Sequence, residues 1–181
     1  MDWIVEITAC VIVLLTWMKL SMLSWKQAGM VGVLYACWTW TITPWVASQP
    51  ATWLTDWLAL RDNRLDIAVC IVLEVCIMLA FCFNCFHVEM QQKLNKIIDN
   101  ALLFYPGLLL LGVIPYVLSN VLLAFPGTSF TLVQWLAAVV VLALMPLGGW
   151  LAKRTGATPF RLEALFVLSL CLLMMGIAVG H

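Results

Sequence analysis

Charged side chains are scarce in this chain. Only 10% of its 181 residues are Asp, Glu, Lys or Arg, whereas 65% are hydrophobic. A soluble domain carries about 25% charged and about 45–50% apolar residues. The chain therefore has too little polar surface to face water on all sides. This excludes a soluble globular domain and indicates a lipid bilayer as its surroundings.

Long polar segments are also missing. The longest connector with polar residues covers residues 47–64 and contains an apolar stretch of its own. Because one spanning helix needs about 20 apolar residues, a chain made mostly of such helices has no room for a soluble catalytic domain. No GxGxxG string and no P-loop string occurs. These absences exclude soluble nucleotide-binding and nucleic-acid-binding modules, and a single polytopic membrane domain is predicted over residues 1–181.

Six hydrophobic segments predict an all-α integral membrane protein with about six transmembrane helices. They lie at about residues 4–23, 28–46, 65–86, 101–125, 131–151 and 162–179. Between the second and third segments, Trp53 and Trp57 share one side of a helix with Leu54 and Leu58, opposite Asp56. That stripe predicts a short helix over about residues 51–60, lying in the outer interface of the membrane.

The basic residues predict the orientation of these helices, because short loops rich in Lys and Arg remain in the cytoplasm. Seven of the nine lie on one side: Lys19, Lys26, Lys93, Lys96, Lys153, Arg154 and Arg161. The opposite side carries Arg61 and Arg64. Both termini are therefore predicted on the non-cytoplasmic side of the cell inner (plasma) membrane, with the chain crossing it several times.

Tryptophan is concentrated in the first third of the chain, where eight of the ten precede Leu60. Tryptophan favours the interface between membrane and water. Trp17 and Trp25 are interpreted as anchors at the inner interface, whereas Trp38 and Trp40 lie deeper in the second span. The deeper pair is expected to make contacts between helices or to line a ligand site.

Glu74 is the most informative polar residue, because it lies roughly 14 Å along the third span from Leu65, at 1.5 Å per residue. An intramembrane acid is by default a functional hypothesis. No Lys or Arg is expected at a similar depth, so Glu74 is expected to be neutral and to exchange protons. Together with Asp66 on the same helix face and Glu6 in the first span, it could form an outward-facing path for protons or cations. The alternative is a structural role, in which Glu74 fixes helix packing through a hydrogen bond.

Small residues at four-residue spacing let the backbones of membrane helices approach closely. They occur in three predicted spans, at Ala28, Gly32, Ala36, Gly148, Gly176 and Gly180. Two interpretations remain open at this point. These residues pack helices within the chain, or they dock another integral membrane subunit.

No catalytic residue and no cofactor is predicted. The cluster closest to a metal-binding pattern is Cys82, Cys85 and His87, but c-type haem attachment needs the histidine directly after the second cysteine. A structural zinc site needs four ligands, and no second Cys/His pair occurs in the connectors. No Lys or His lies deep in a span to activate a serine. We therefore expect no bound metal and no enzymatic activity.

Three functions remain open. The first is a non-catalytic accessory or scaffold subunit of a multi-subunit inner-membrane complex, plausibly a transport assembly or a motor that uses the proton motive force for uptake. The second is a small oligomeric transporter or channel for protons, cations or a small solute, which uses Glu74. The third is a membrane redox protein, which rests on Cys82 and Cys85 alone. The expected partners are the lipid bilayer and other membrane subunits, with no nucleic acid.

Overall fold

The computed structural model describes residues 2–50, 52–89, 105, 107–125 and 128–180. Every regular element in these residues is a helix. The helices are α1 (Asp2–Leu20), α2 (Trp25–Ser48), α3 (Trp53–Ala59), α4 (Arg61–Glu89), α5 (Leu108–Ala124), α6 (Phe130–Arg154) and α7 (Thr158–Gly180). The short interfacial helix predicted over 51–60 corresponds to α3.

Four of these helices, α1, α4, α6 and α7, are long and apolar enough to cross a membrane. Helix α5 is apolar but shorter, with 17 residues. Helix α2 has 24 residues, but its tryptophans, threonines and glycines make it less apolar. The fold is thus consistent with an all-α membrane protein. The count of six spans and the outward position of both termini stay predictions.

Two helix starts have clear local causes. Helix α2 begins at Trp25 because Ser24 and Gln27 form a capping box, in which each side chain bonds the other residue's backbone N–H. Helix α5 begins at Leu108 because Gly107 has a φ of 85°, which lies outside the helical region. Of the fourth predicted span, 101–125, the structure describes a helix from Leu108 to Ala124. Residues 101–104 and 106 of that span lie outside the described part.

Helix α1 lies inside the bundle, where it contacts α5, α6 and α7. Helix α2 packs mainly along α6 and also touches α5, while α4 packs along α7. The short helix α3 lies against α4. The largest fully buried side chains come from five helices, α1, α2, α4, α5 and α7, and include Leu15, Tyr35, Ile71, Met78, Phe81, Leu110, Leu165 and Leu172.

Glycines permit two of these close contacts. The indole of Trp17 lies directly against Gly148, in the space that any side chain there would need. A Cβ at Gly176 would lie 2.7 Å from Cγ2 of Ile71. Trp17 is half-buried and packs against α6 of the same chain, and its role as an anchor at the inner interface stays a prediction.

The other small residues differ in how deeply they are buried in the bundle. Ala28 and Gly32 are buried between α2 and its neighbours, and Ala36 is half-buried. Gly180 is the last residue of α7. At Ala28, Gly32, Gly148 and Gly176 the close packing is within the chain. Docking of a second protein through these residues stays a prediction.

Proline creates unpaired carbonyls inside the helices, because it has no N–H to donate to the carbonyl four residues earlier. Pro44 leaves the Trp40 carbonyl without its intrahelical donor. Nε2 of Gln134 in α6 donates to that oxygen at 2.9 Å. Trp40 and Trp135 also make an edge-to-face contact, with ring centroids 4.3 Å apart. The proline of one helix is thus compensated by a side chain of the next.

The same compensation occurs at Pro115, whereas at Pro146 the freed carbonyl lies against a glycine of α2. Pro115 frees the Leu111 carbonyl of α5, and Nε1 of Trp38 donates to it at 3.1 Å. Pro146 frees the Leu142 carbonyl of α6, which lies 3.5 Å from where a Cβ on Gly32 would be. We call these contacts of α2 with α5 and α6 the proline seam. Trp38 and Trp40 therefore make contacts between helices.

Candidate functional site

Glu74 lies in the middle of α4 and faces the interior of the bundle, where only 4% of it is exposed. Its Oε2 accepts a 2.7 Å hydrogen bond from the hydroxyl of Tyr105 and a 2.9 Å bond from the backbone N–H of Leu108. Leu108 is the first residue of α5, and its N–H has no acceptor within its own helix. Glu74 therefore caps α5 from a neighbouring helix.

Gly107 allows the carboxylate to come this close. Its φ of 85° disfavours any residue with a side chain, and a Cβ there would lie 3.2 Å from Oε1 of Glu74. The carbonyl of Gly107 accepts a 3.1 Å hydrogen bond from the hydroxyl of Tyr35 in α2. The turn before α5 is thus bonded from both sides, by α4 and by α2.

Lys19 brings a cation to the same place. Its Nζ donates a 2.6 Å hydrogen bond to the Tyr105 carbonyl, and the side chain is 4% exposed. The ammonium also lies 4.8 Å from the Tyr105 ring centroid and 5.4 Å from that of Phe81, within the range of a cation–π contact. The expectation that no Lys or Arg would reach the depth of Glu74 is therefore wrong.

We call the group formed by Lys19, Tyr35, Glu74, Tyr105, Gly107 and Leu108 the Glu74 cluster. It joins α1, α2, α4 and the start of α5. Tyr105 is its centre, because its carbonyl accepts a hydrogen bond from Lys19 while its hydroxyl donates one to Glu74. Chemically, this is a hydrogen-bonded link between two buried ionisable side chains. It can stabilise the helix junction, and it has the group types that a proton transfer would need.

The other residues of the predicted acidic path lie elsewhere. Asp66 and Cys70 are exposed on the outside of α4, and Glu6 is exposed on α1. Glu74 is turned to the interior, so Asp66 and Glu74 do not share one environment although they share a helix. An outward path through Glu6, Asp66 and Glu74 stays a prediction.

The cysteine cluster gives no metal-ligand set within the described residues. Cys82 is buried in the core and Cys85 is half-buried, while the side chain of His87 lies outside the described part. Over the ranges that the structure covers, no group of three His, Cys, Asp or Glu side chains could hold a metal ion. Cys82 is part of the hydrophobic core, and Cys85 packs against that core.

Hydropathy alone does not identify most members of the Glu74 cluster. Lys19 lies within the first hydrophobic segment, near its end, which is the one sequence signal for its burial. Tyr105 precedes a Pro-Gly step whose second residue is Gly107, and this dipeptide is typical of turns. That step marks the start of α5 and places polar backbone groups at the depth of Glu74.

No protein-family model matches this chain, and neither a curated protein nor a solved structure matches it. The functional argument therefore rests on the geometry of the chain itself.

Proposed function

We propose that this protein is a non-catalytic accessory or scaffold subunit of a larger inner-membrane complex, plausibly one that performs transport or uses the proton motive force. In this proposal the chain crosses the membrane about six times, with both termini on the non-cytoplasmic side. The observation that carries it is that polar side chains bind the backbone of neighbouring helices. Glu74 caps α5, and Gln134 and Trp38 bind carbonyls freed by proline.

The buried hydroxyl groups support the same function. Thr16, Thr39 and Thr43 each donate to the carbonyl four residues earlier in their own helix. Such a hydroxyl is already satisfied and needs no substrate. These hydroxyls, like Glu74 and Gln134, bind the chain's own backbone, which supports a structural role beside a partner.

The test is native mass spectrometry of the protein extracted gently from its host membrane. We expect a larger integral membrane protein in a fixed stoichiometric ratio with this chain. The control is the same extraction from cells that lack the chain. In those cells the partner should be less abundant, or it should no longer carry its other subunits. A lone chain or a homo-oligomer would contradict the proposal.

A second function is favoured by one observation, the link between Glu74 and Lys19 through Tyr105. Buried ionisable groups in membrane helices commonly mark proton or ion routes. In this alternative the chain is a small oligomeric transporter or channel. Flux measured in proteoliposomes should then be lost in Glu74→Gln, which keeps the size and the acceptor oxygen.

The matched control for the flux assay is Asp62→Asn, because Asp62 is an exposed acid on the same helix and is not a member of the predicted path. Its flux should equal that of the wild type if Glu74 alone carries the proton. Equal flux in Glu74→Gln and wild type would contradict the transport function. The orientation of the chain is tested separately, by a reporter fused after His181, which should be extracytoplasmic.

A further inference from the structure

An apolar groove runs along the bundle surface between α2 and α6. It is lined by Trp25, Gly29, Met30 and Val33 on one side and by Leu142 and Pro146 on the other, and its volume is about 660 Å³. Ligand sites commonly have volumes of about 300–1,000 Å³. We call it the α2–α6 groove. It is separate from the Glu74 cluster, which lies inside the bundle.

The groove exists because Gly29, on its α2 side, has no side chain. A Cβ built on Gly29 would meet no atom within 4 Å. At Gly32, less than one turn further along, α2 comes close to Leu142 and Pro146 of α6. The helices therefore touch at Gly32 and leave an open trough beside it, and Met30 and Val33 on its wall are more than half exposed.

The length of the groove corresponds to one leaflet of a bilayer. From Trp25 to Leu34, its last residue on α2, a helix rises about 14 Å at 1.5 Å per residue. Half of a hydrocarbon core of about 30 Å is about 15 Å. An acyl chain that starts at the interface would thus fill the groove and end near the middle of the membrane.

Aromatic and basic residues lie at one end of this groove. Trp25 also borders a second cleft, which it forms with Leu147 and Trp150. The guanidinium of Arg154 lies 3.9 Å from the ring centroid of Trp150. Lys26 follows Trp25 and lies one helical turn before Met30, so it shares the face of α2 that borders the groove. Two cations are thus placed beside two tryptophans, at the level where headgroups lie.

We propose that the α2–α6 groove binds an anionic phospholipid, with one acyl chain along the groove and the phosphate beside Lys26 and Arg154. The charge decides the class of lipid, because a zwitterionic headgroup would gain less from two cations. Basic pockets between helices on the cytoplasmic side are typical sites for anionic lipids. The inference rests on the proposed membrane placement and is independent of the accessory role.

The experiment is native mass spectrometry of the full chain, purified in detergent and mixed with equal amounts of phosphatidylglycerol and phosphatidylcholine. One cation near the surface favours an anionic lipid by about fivefold, so two predict a preference of about 25-fold. Lys26→Gln and Arg154→Gln should each lower that preference about fivefold. Arg61→Gln, which removes an exposed cation outside the groove, should leave it unchanged.

The groove itself is tested by Gly29→Leu, which fills the trough without a clash. It should lower the retention of both lipids and leave their ratio unchanged. The matched control is Gly112→Leu on α5, where a Cβ also meets nothing within 4 Å. Circular dichroism of each variant should match the wild type, so that loss of fold is separated from loss of lipid.

Three outcomes would overturn the proposal. The first is equal retention of the two lipids by the wild type. The second is a loss of preference in Arg61→Gln as large as that in Arg154→Gln. The third is a groove filled by protein, seen as a second copy or a partner that excludes lipid and is released by Gly29→Leu. None of these outcomes depends on whether a larger complex is found.

Discussion

The Glu74 cluster and the proline seam both join helices through hydrogen bonds to the backbone, but they use different chemistry. In the cluster, the ionisable side chains of Lys19 and Glu74 are buried and meet at Tyr105. In the proline seam, the donors are the neutral side chains of Trp38 and Gln134. A buried charge that loses its partner is costly, whereas a neutral hydrogen bond between membrane helices contributes about 0.6 kcal/mol on average.

This difference predicts how much each region contributes to stability. The cluster fixes the start of α5 and joins four segments, so its disruption should affect the whole bundle. The seam supplies hydrogen-bond donors to individual carbonyls. Substitutions in the seam should therefore change stability nearly independently of the cluster.

The largest effect is expected for Lys19→Met, which leaves the Tyr105 carbonyl without its charged donor. Loss of a hydrogen bond that involves a buried charged group costs about 3 kcal/mol, measured as the free energy of unfolding in detergent. Lys26→Met is the control, because Lys26 is exposed, and it should change stability little. The double variant Lys19→Met with Glu74→Gln should be more stable than the sum of the single losses predicts. Additive losses would show that the two groups are not coupled.

A smaller loss is expected for Gly107→Ala. The backbone there has a φ of 85°, and the new Cβ would lie 3.2 Å from Oε1 of Glu74. A residue held in such a conformation costs about 1–3 kcal/mol, and the carboxylate would also have to move. The control is Gly112→Ala, a helical glycine with open space around it, where alanine favours the helix. Equal stability of the two variants would contradict the close approach at Gly107.

Hydropathy predicts the long helices of this chain well, because their apolar segments extend over most of the observed bounds. Glu74 is also identifiable in sequence as a buried acid within such a segment. The partners of Glu74 cannot be identified in this way, because Lys19 is 55 positions away and Tyr105 is 31 positions away along the chain. Hydrophobicity along one segment contains no information on which helices become neighbours.

The turn before α5 illustrates a second reason why hydropathy does not predict the partners of Glu74. Residues 101–125 are apolar enough to be interpreted as one span, since hydropathy averages over a window and Gly107 changes that average little. The backbone break at Gly107 nevertheless exposes the N–H of Leu108, and this N–H is what Glu74 binds. By contrast, the prolines do predict where carbonyls are freed, but the donors Trp38 and Gln134 follow only from the packing of α2 on α5 and α6.

The smallest effect, and the most specific, is expected for Gln134→Leu in the proline seam. Loss of its bond to the Trp40 carbonyl should cost about 0.6 kcal/mol. The carbonyl needs this donor only because Pro44 lacks an N–H. In a Pro44→Ala background, the alanine N–H can bind Trp40 within the helix, so Gln134→Leu should then cost less. The same cycle with Lys19→Met in place of Pro44→Ala should be additive, since Lys19 belongs to the Glu74 cluster. An unchanged cost of Gln134→Leu in the Pro44→Ala background would mean that Gln134 stabilises the seam by packing and not by replacing the missing donor.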